Sequence, residues 1–222
     1  MKKIWNGEEK TAIERSLLEK GKKYIVGVDE VGRGPLAGPV VCAAVIMPLD
    51  KELLIEGVDD SKKLSEKKRE TLALLIKERA LAYTVYEVSE KIIDEINILE
   101  ATKLGMKRAI ESLSITPDVV LTDGNMTIDI PFEQHSVIGG DALSYSIGAA
   151  SIIAKVTRDR EMVELDRQYP QYGFARHKGY GTVEHLDALK KYGPSPVHRK
   201  SFRPVYELLP DSPVQGTLDF GI

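Results

Sequence analysis

A chain of 222 residues, 42% of them hydrophobic, is long enough to bury the core of one sizeable domain without covalent staples, and its single cysteine excludes an internal disulfide. A formal net charge of −3 excludes a uniformly basic nucleic-acid coat. No segment approaches membrane-spanning length and the basic start has no apolar stretch behind it, so a soluble protein of the reducing cytoplasm is expected.

In chain order, Ile13, Leu17 and Leu18 at helical spacing predict a helix over 8–20 that stops at Gly21. A buried strand follows over 23–29. Gly32, Gly34, Pro35 and Gly38 then interrupt the pattern before a β-branched run over 39–47, in which Cys42 reads as a small buried hydrophobe. Ser65 is placed to cap a helix to about residue 80, a third strand is expected over 82–88, and a helical pattern over 89–113. Pro117 introduces a fourth strand over 118–122, and a short fifth covers 134–138. Residues 141–169 read as one helix, and 182–192 as another closed by Gly193 and Pro194. Strands early and helices late predict a central sheet flanked by helices with a helical C-terminal portion.

The charge is unevenly spread. Residues 155–203 hold eleven Lys/Arg against six Asp/Glu, whereas residues 1–154 hold twenty against twenty-five. An acidic site beside a basic C-terminal half suits metal-assisted cutting of a polyanion, although solvated basic helix faces give the same count.

Four acids stand out. Asp29 and Glu30 close an apolar strand before Gly32-Arg33-Gly34-Pro35. Neighbours in a regular strand point to opposite faces, so the two serve one site only if the chain bends there. Asp123 ends another buried strand, again before a glycine. Asp141 opens the helix after Gly139-Gly140, where capping explains it as well as metal binding does. Asp159 competes for that role but lies eighteen residues on, about 27 Å along a continuous helix, so both cannot reach one site and Asp141 is preferred. Oxygen donors without histidine or cysteine spacing suit Mg²⁺ or Mn²⁺ rather than zinc. The glycine turn lacks the Gly-Lys-Ser/Thr of a P-loop and the helix of a dinucleotide fingerprint. An actin-like phosphotransferase, whose first strand also carries an acid before a glycine turn, is a more serious rival; it needs a second acid-glycine phosphate motif, and none is convincing.

These residues resemble bacterial ribonuclease HII. The resemblance runs from about Tyr24 to Leu209, through Asp29-Glu30-Val31-Gly32-Arg33-Gly34, Asp60-Ser61-Lys62-Lys63-Leu64, Thr122-Asp123-Gly124, Ala149-Ala150-Ser151-Ile152-Ile153-Ala154-Lys155 and His177-Lys178-Gly179-Tyr180-Gly181-Thr182. It implies an α/β, ribonuclease H-like fold: a central five-stranded mixed sheet flanked by helices, with a helical C-terminal region. It also implies Asp29, Glu30, Asp123 and Asp141 as catalytic metal ligands, two Mg²⁺ or Mn²⁺ ions during catalysis, and cleavage of RNA·DNA hybrids. Single ribonucleotides in duplex DNA would be cut on their 5′ side, leaving 3′-hydroxyl and 5′-phosphate ends.

Gly32 and Gly34 would let backbone approach the 2′-hydroxyl, which alone separates RNA from DNA at one sugar, and Arg33 would grip a neighbouring phosphate. In the family the position of Tyr180 stacks on the sugar after the ribonucleotide. Ser61, Lys62, Lys63, Lys155, Arg158, His177, Lys178, His198 and Arg199 are further candidates for substrate contacts.

Four regions are expected: an N-terminal helical extension over 1–22, a catalytic core over 23–170, a helical substrate-binding region over 171–209 and a flexible tail over 210–222. In the tail, Gln215, Leu218 and Phe220 resemble the Gln-x-x-Leu-x-Phe pattern of peptides that dock on DNA sliding clamps. A monomer is expected.

Overall fold

The computed structural model describes residues 5–210; the clamp-like residues Gln215, Leu218 and Phe220 lie outside them. The chain opens with two short helices, α1 (Gly7–Lys10) and α2 (Ala12–Glu19), then strands β1 (Ile25–Val31) and β2 (Val40–Ile46). Helix α3 (Glu66–Arg79), strand β3 (Ala82–Val88) and helix α4 (Glu90–Glu111) follow, then β4 (Val119–Asp123) and β5 (Glu133–Val137). Among the described residues the later elements are helices: α5 (Gly140–Leu143), α6 (Tyr145–Gln168), α7 (Phe174–His177), α8 (Val183–Tyr192) and α9 (Arg203–Tyr206).

The strands form one sheet in the order β3-β2-β1-β4-β5. β1 is antiparallel to β2 and parallel to β4, and β4 is parallel to β5, so the sheet is mixed as expected. The alternation along β1 sorts its two faces. Val26 and Val28 pack with Ala44, Val120, Met106 and Ile110. On the other face Ile25 packs with Val119, Leu121 and Ile147 of α6. Register places Gly27 beside Leu121, so Asp29 and Asp123 continue this second face. A Cβ on Gly27 would stand 2.1 Å from the backbone carbon of Ser146, so only glycine lets the start of α6 rest on β1 here.

The residues group into two compact units. Among the described residues, one holds those up to Val31, Val41–Glu87 and Thr102–Thr157; the other holds Gly32–Val40, Val88–Ala101 and those from Arg158. The sequence suggested a linear division near residue 170 instead. Two segments far apart in sequence join the C-terminal unit, and no local pattern marks such recruitment.

Several elements differ from expectation. β1 runs on to Val31, so the expected bend at Asp29–Glu30 is absent and the turn begins at Gly32, with φ of 100°. The first helix is broken at Thr11, whose hydroxyl and N–H both donate to the Gly7 carbonyl. The long helix over 90–111 kinks at Asn97, where φ is 68° and the side-chain oxygen accepts from the N–H groups of Leu99 and Glu100, capping the second half. The helix expected over 141–169 is interrupted at Ser144, whose hydroxyl oxygen accepts the N–H of Ile147 and starts α6 afresh.

Candidate active site

The first unit holds all four acids. Asp29 is buried, and its carboxyl sits well above the usual carboxylate range because burial opposes its charge and the Glu30 and Asp123 carboxylates repel it. The hydroxyl of Ser151 and the N–H of Glu30, which donates to Asp29 Oδ1 at 2.8 Å, pull the other way. Asp141 is raised first by burial and then by Asp123 and Asp60, while Lys62 lowers it. These couplings bring Asp29, Asp123 and Asp141 into one electrostatic neighbourhood, whereas Glu30, on the opposite face of the regular strand, couples to Asp29 as its neighbour in the chain. Lys62 faces it too: its ammonium lies 3.5 Å from Asp141 Oδ2 and feels Asp29 as well.

Local structure sets each position. Asp29 and Asp123 sit at the same end of neighbouring parallel strands and on the same face. Asp123 Oδ1 accepts the Gly140 N–H at 2.7 Å, which ties β4 to the single-turn helix α5 carrying Asp141. Asp60 Oδ1 accepts the Lys62 N–H and closes the turn that presents Lys62. Ser61 is fully buried and bonds Ser151 at 2.9 Å, so it braces the hydroxyl beside Asp29 and has no surface for substrate; that expectation is corrected.

Among the described residues no three His, Cys, Asp or Glu side chains stand in a closed metal-chelating arrangement. Oxygens of Asp29, Asp123 and Asp141 are turned to Glu30 N–H, Gly140 N–H and Lys62 instead. The donor set still fits a hard divalent cation. It is all oxygen and partly buried, and its members repel one another while Lys62 offsets part of that repulsion, so the neighbourhood favours added positive charge.

The second unit holds the glycine turn, over which two buried arginines close. Arg158 donates to the carbonyls of Ala37, Pro39 and Lys178, and Arg199 to those of Gly32, Arg33 and Gly38, at 2.6–3.2 Å. Both have no exposed surface. They were expected to meet substrate, but their guanidinium groups are spent inward on holding the turn. A Cβ on Gly32 would lie 2.1 Å from Arg158 Nε. Tyr180, about half exposed, has a ring carbon 3.5 Å from where a Cβ of Gly34 would stand, so the turn and the exposed aromatic do come together. Lys178, with φ of 52°, donates to the Ala175 carbonyl. Lys155 is partly buried.

Histidines support Tyr180 from beneath. The Ser195 N–H donates to His198 Nδ1, so neutral His198 carries its proton on Nε2 and gives it to His185 Nε2 at 3.0 Å. His185 then donates from Nδ1 to the Tyr180 carbonyl at 2.9 Å. His177 is likewise occupied, accepting the Gly179 N–H and donating to the Tyr172 carbonyl. Neither His198 nor His177 offers a ring nitrogen to substrate, which corrects the expectation for both.

Burial, and next the neighbouring His185, push His198 down to about 3. A histidine depressed in the folded state contributes stability that is present above its unfolded value near 6.5 and is lost as pH falls toward 3. Urea unfolding at pH 7 and pH 4.5 should therefore show the wild type losing about 2–3 kcal/mol more than His198→Gln. Equal losses would show that His198 is not held neutral.

The family model described as Ribonuclease HII matches residues 26–205. The chain belongs to the ribonuclease HII family. It is 57% identical over 189 residues to ribonuclease HII of Acetivibrio thermocellus, covering 85% of this chain and 73% of that protein. Among solved structures, ribonuclease H2 from Pyrococcus horikoshii OT3 superposes with a TM-score of 0.70 at 29% identity, over 84% of this chain and 97% of that one. Ribonuclease HII of Archaeoglobus fulgidus, solved in complex with PCNA, gives 0.68 at 28% identity, over 81% and 95%. The fold is that of ribonuclease H, and the protein is a ribonuclease, a hydrolase of the nuclease class. Among the described residues no helix is long and apolar enough to cross a membrane.

Sequence reading missed Ser151, Glu14 and Lys10. A serine inside the apolar helical run Ala149-Ala150-Ser151-Ile152-Ile153 was a usable signal, since a buried hydroxyl needs a partner. Nothing local distinguished Glu14 or Lys10 from solvated helix residues.

Proposed function

We propose that this ribonuclease HII is an endonuclease that hydrolyses the RNA strand of RNA·DNA hybrids and cuts on the 5′ side of single ribonucleotides embedded in duplex DNA. The products are 3′-hydroxyl and 5′-phosphate ends, as excision repair of misplaced ribonucleotides requires. The observation that carries the reading is that Asp29, with Glu30 beside it in the chain, and Asp123 end neighbouring parallel strands, and that Asp123 is tied through the Gly140 N–H to the turn bearing Asp141, within a ribonuclease HII sequence. Their carboxylates are the groups to hold Mg²⁺ or Mn²⁺. When bound, two such ions would supply an activated water and Lewis-acid stabilisation of the leaving oxygen in an in-line attack on the phosphodiester.

The chain's own residues do the rest. Lys62 adds positive charge next to Asp141. Gly32, Arg33 and Gly34, on a turn stiffened by Arg158 and Arg199, contact the ribose 2′-hydroxyl and the neighbouring phosphate. Tyr180 stacks on the sugar that follows and Lys155 and Lys178 meet backbone phosphates. The enzyme works as a monomer in the cytoplasm. The clamp complex of the Archaeoglobus fulgidus relative supports a similar partner here, docked through Gln215, Leu218 and Phe220.

A gel of a duplex carrying one ribonucleotide tests the reading. Cleavage 5′ to that nucleotide should vanish in EDTA and return with Mg²⁺ or Mn²⁺; no cut with either metal would end the assignment. In the same assay, deletion of 215–222 should leave the cut intact and abolish retention on a sliding clamp; unchanged retention would remove the tail from the proposal.

A further inference from the structure

The four-residue helix α5 carries Asp141 yet is too short to hold itself in place, since one turn fixes several backbone dihedrals for few hydrogen bonds. Its position must come from outside. Asp123 supplies one tie through the Gly140 N–H. Lys62 faces Asp141 itself, and two more ties come from the two N-terminal helices, which precede the family match at residue 26.

Lys10 of α1 donates to the carbonyl of Ala142, the residue after Asp141, and to Asp59 Oδ1 at 2.8 Å; its side chain is only 14% exposed. Glu14 of α2 has no exposed surface at all. Its Oε1 accepts the Ser144 hydroxyl at 2.5 Å and the Ser146 N–H at 2.9 Å, at the break between α5 and α6. A carboxylate there complements the amino end of the 24-residue α6. Its Oε2 is buried with no hydrogen-bond partner among the described residues. Lys10 is held between Asp59 and the Ala142 carbonyl, and burying Glu14 with one oxygen unsatisfied is a costly way to gain mere packing. Apolar side chains would pack as well but could not grip the Ala142 carbonyl or the Ser144 hydroxyl.

We infer that Lys10 and Glu14 are positioning residues that set the place of Asp141, so that the N-terminal segment is a working part of the metal site. The inference rests on the reading of Asp141 as a metal ligand. It assigns the segment a role in cation binding and turnover, not in gripping the duplex.

The test uses the full chain with Lys10→Met, Glu14→Gln and the conservative Lys10→Arg, and Asp123→Asn as control. Three readouts are needed: calorimetric titration with MnCl₂, kcat and KM on the one-ribonucleotide duplex, and thermal melting in EDTA. Lys10→Met is expected to weaken Mn²⁺ binding and lower kcat by about 10–100-fold, the range for residues that orient metal ligands, and Glu14→Gln, which keeps the accepting oxygen, by less than about 10-fold. KM should stay within about twofold, and Lys10→Arg should recover most of both losses. A folded Lys10→Met with unchanged Mn²⁺ binding and kcat would overturn the inference, as would a loss confined to KM or to melting temperature. Should Glu14→Gln fail to fold, the Lys10 pair decides alone, because its ammonium is partly solvated. Wild type that neither binds Mn²⁺ nor cuts would overturn the metal-site reading itself, whereas active wild type beside unimpaired variants would sink only the positioning role.

Discussion

Asp29→Asn is expected to abolish cleavage while raising the melting temperature of the metal-free protein. The loss should be at least about a thousandfold in kcat, on the order of 4 kcal/mol of barrier, because an amide cannot provide the anionic oxygens that a hard cation requires. The gain has a separate cause. Burial, then Glu30 and Asp123, raise the Asp29 carboxyl above its unfolded value, so ionising it opposes folding. A group shifted that way contributes stability below its unfolded value near 3.9 and loses it as pH rises through the folded one. Asparagine never takes on the charge. The variant's margin should thus be absent near pH 3.5 and present at pH 7.5, read by thermal melts in EDTA alongside a cleavage assay in Mg²⁺. An active variant would remove Asp29 from the chemistry, and a lower melting temperature at pH 7.5 would refute the account of its burial.

Arg199→Met should be the most damaging single change to the fold of the second unit. Arg199 is fully buried and donates to the carbonyls of Gly32, Arg33 and Gly38, and burial followed by repulsion from Arg158 lowers it to about 9, so it remains charged at neutral pH. Methionine fills much of the volume but leaves those carbonyls unsatisfied inside the protein. A loss of about 3–5 kcal/mol is expected, or roughly 10 °C in melting temperature for a chain of this size. Lysine should rescue little, because three donors on a single nitrogen cannot span carbonyls that a planar fork reaches at once. Where the turn loosens, KM for the duplex should rise as well. A fall of less than about 2 °C for Arg199→Met would show that water or other donors already satisfy the turn.

The sheet and the acids on it were legible because their signals are local. β-branched runs bounded by glycine and proline marked β1, β2 and β4, and an acid followed by glycine marked the end of β4. What stayed hidden depends on partners distant in sequence. Arg199 looked like a substrate contact because it is one of the basic residues of a basic C-terminal half, and only the fold shows its guanidinium turned to residues about 160 positions earlier. Glu14 drew no notice because its donors, the Ser144 hydroxyl and the Ser146 N–H, arrive from 130 and 132 residues later. The break at Ser144 escaped because 141–169 keeps its helical pattern across it; a serine bonding forward to Ile147 is a local event that periodicity averages away.

The commitment of every ring nitrogen of His177, His185 and His198 to a hydrogen bond also bears on the enzyme's inorganic chemistry. By the Irving–Williams order, Zn²⁺ and Cu²⁺ outcompete Mg²⁺ and Mn²⁺ wherever imidazole is on offer. Locking His198 and His185 into a relay under Tyr180, and His177 between Gly179 and Tyr172, withdraws them from that contest. Where the transition ions meet the acid cluster, they then meet carboxylates, the donors for which those ions hold the smallest advantage.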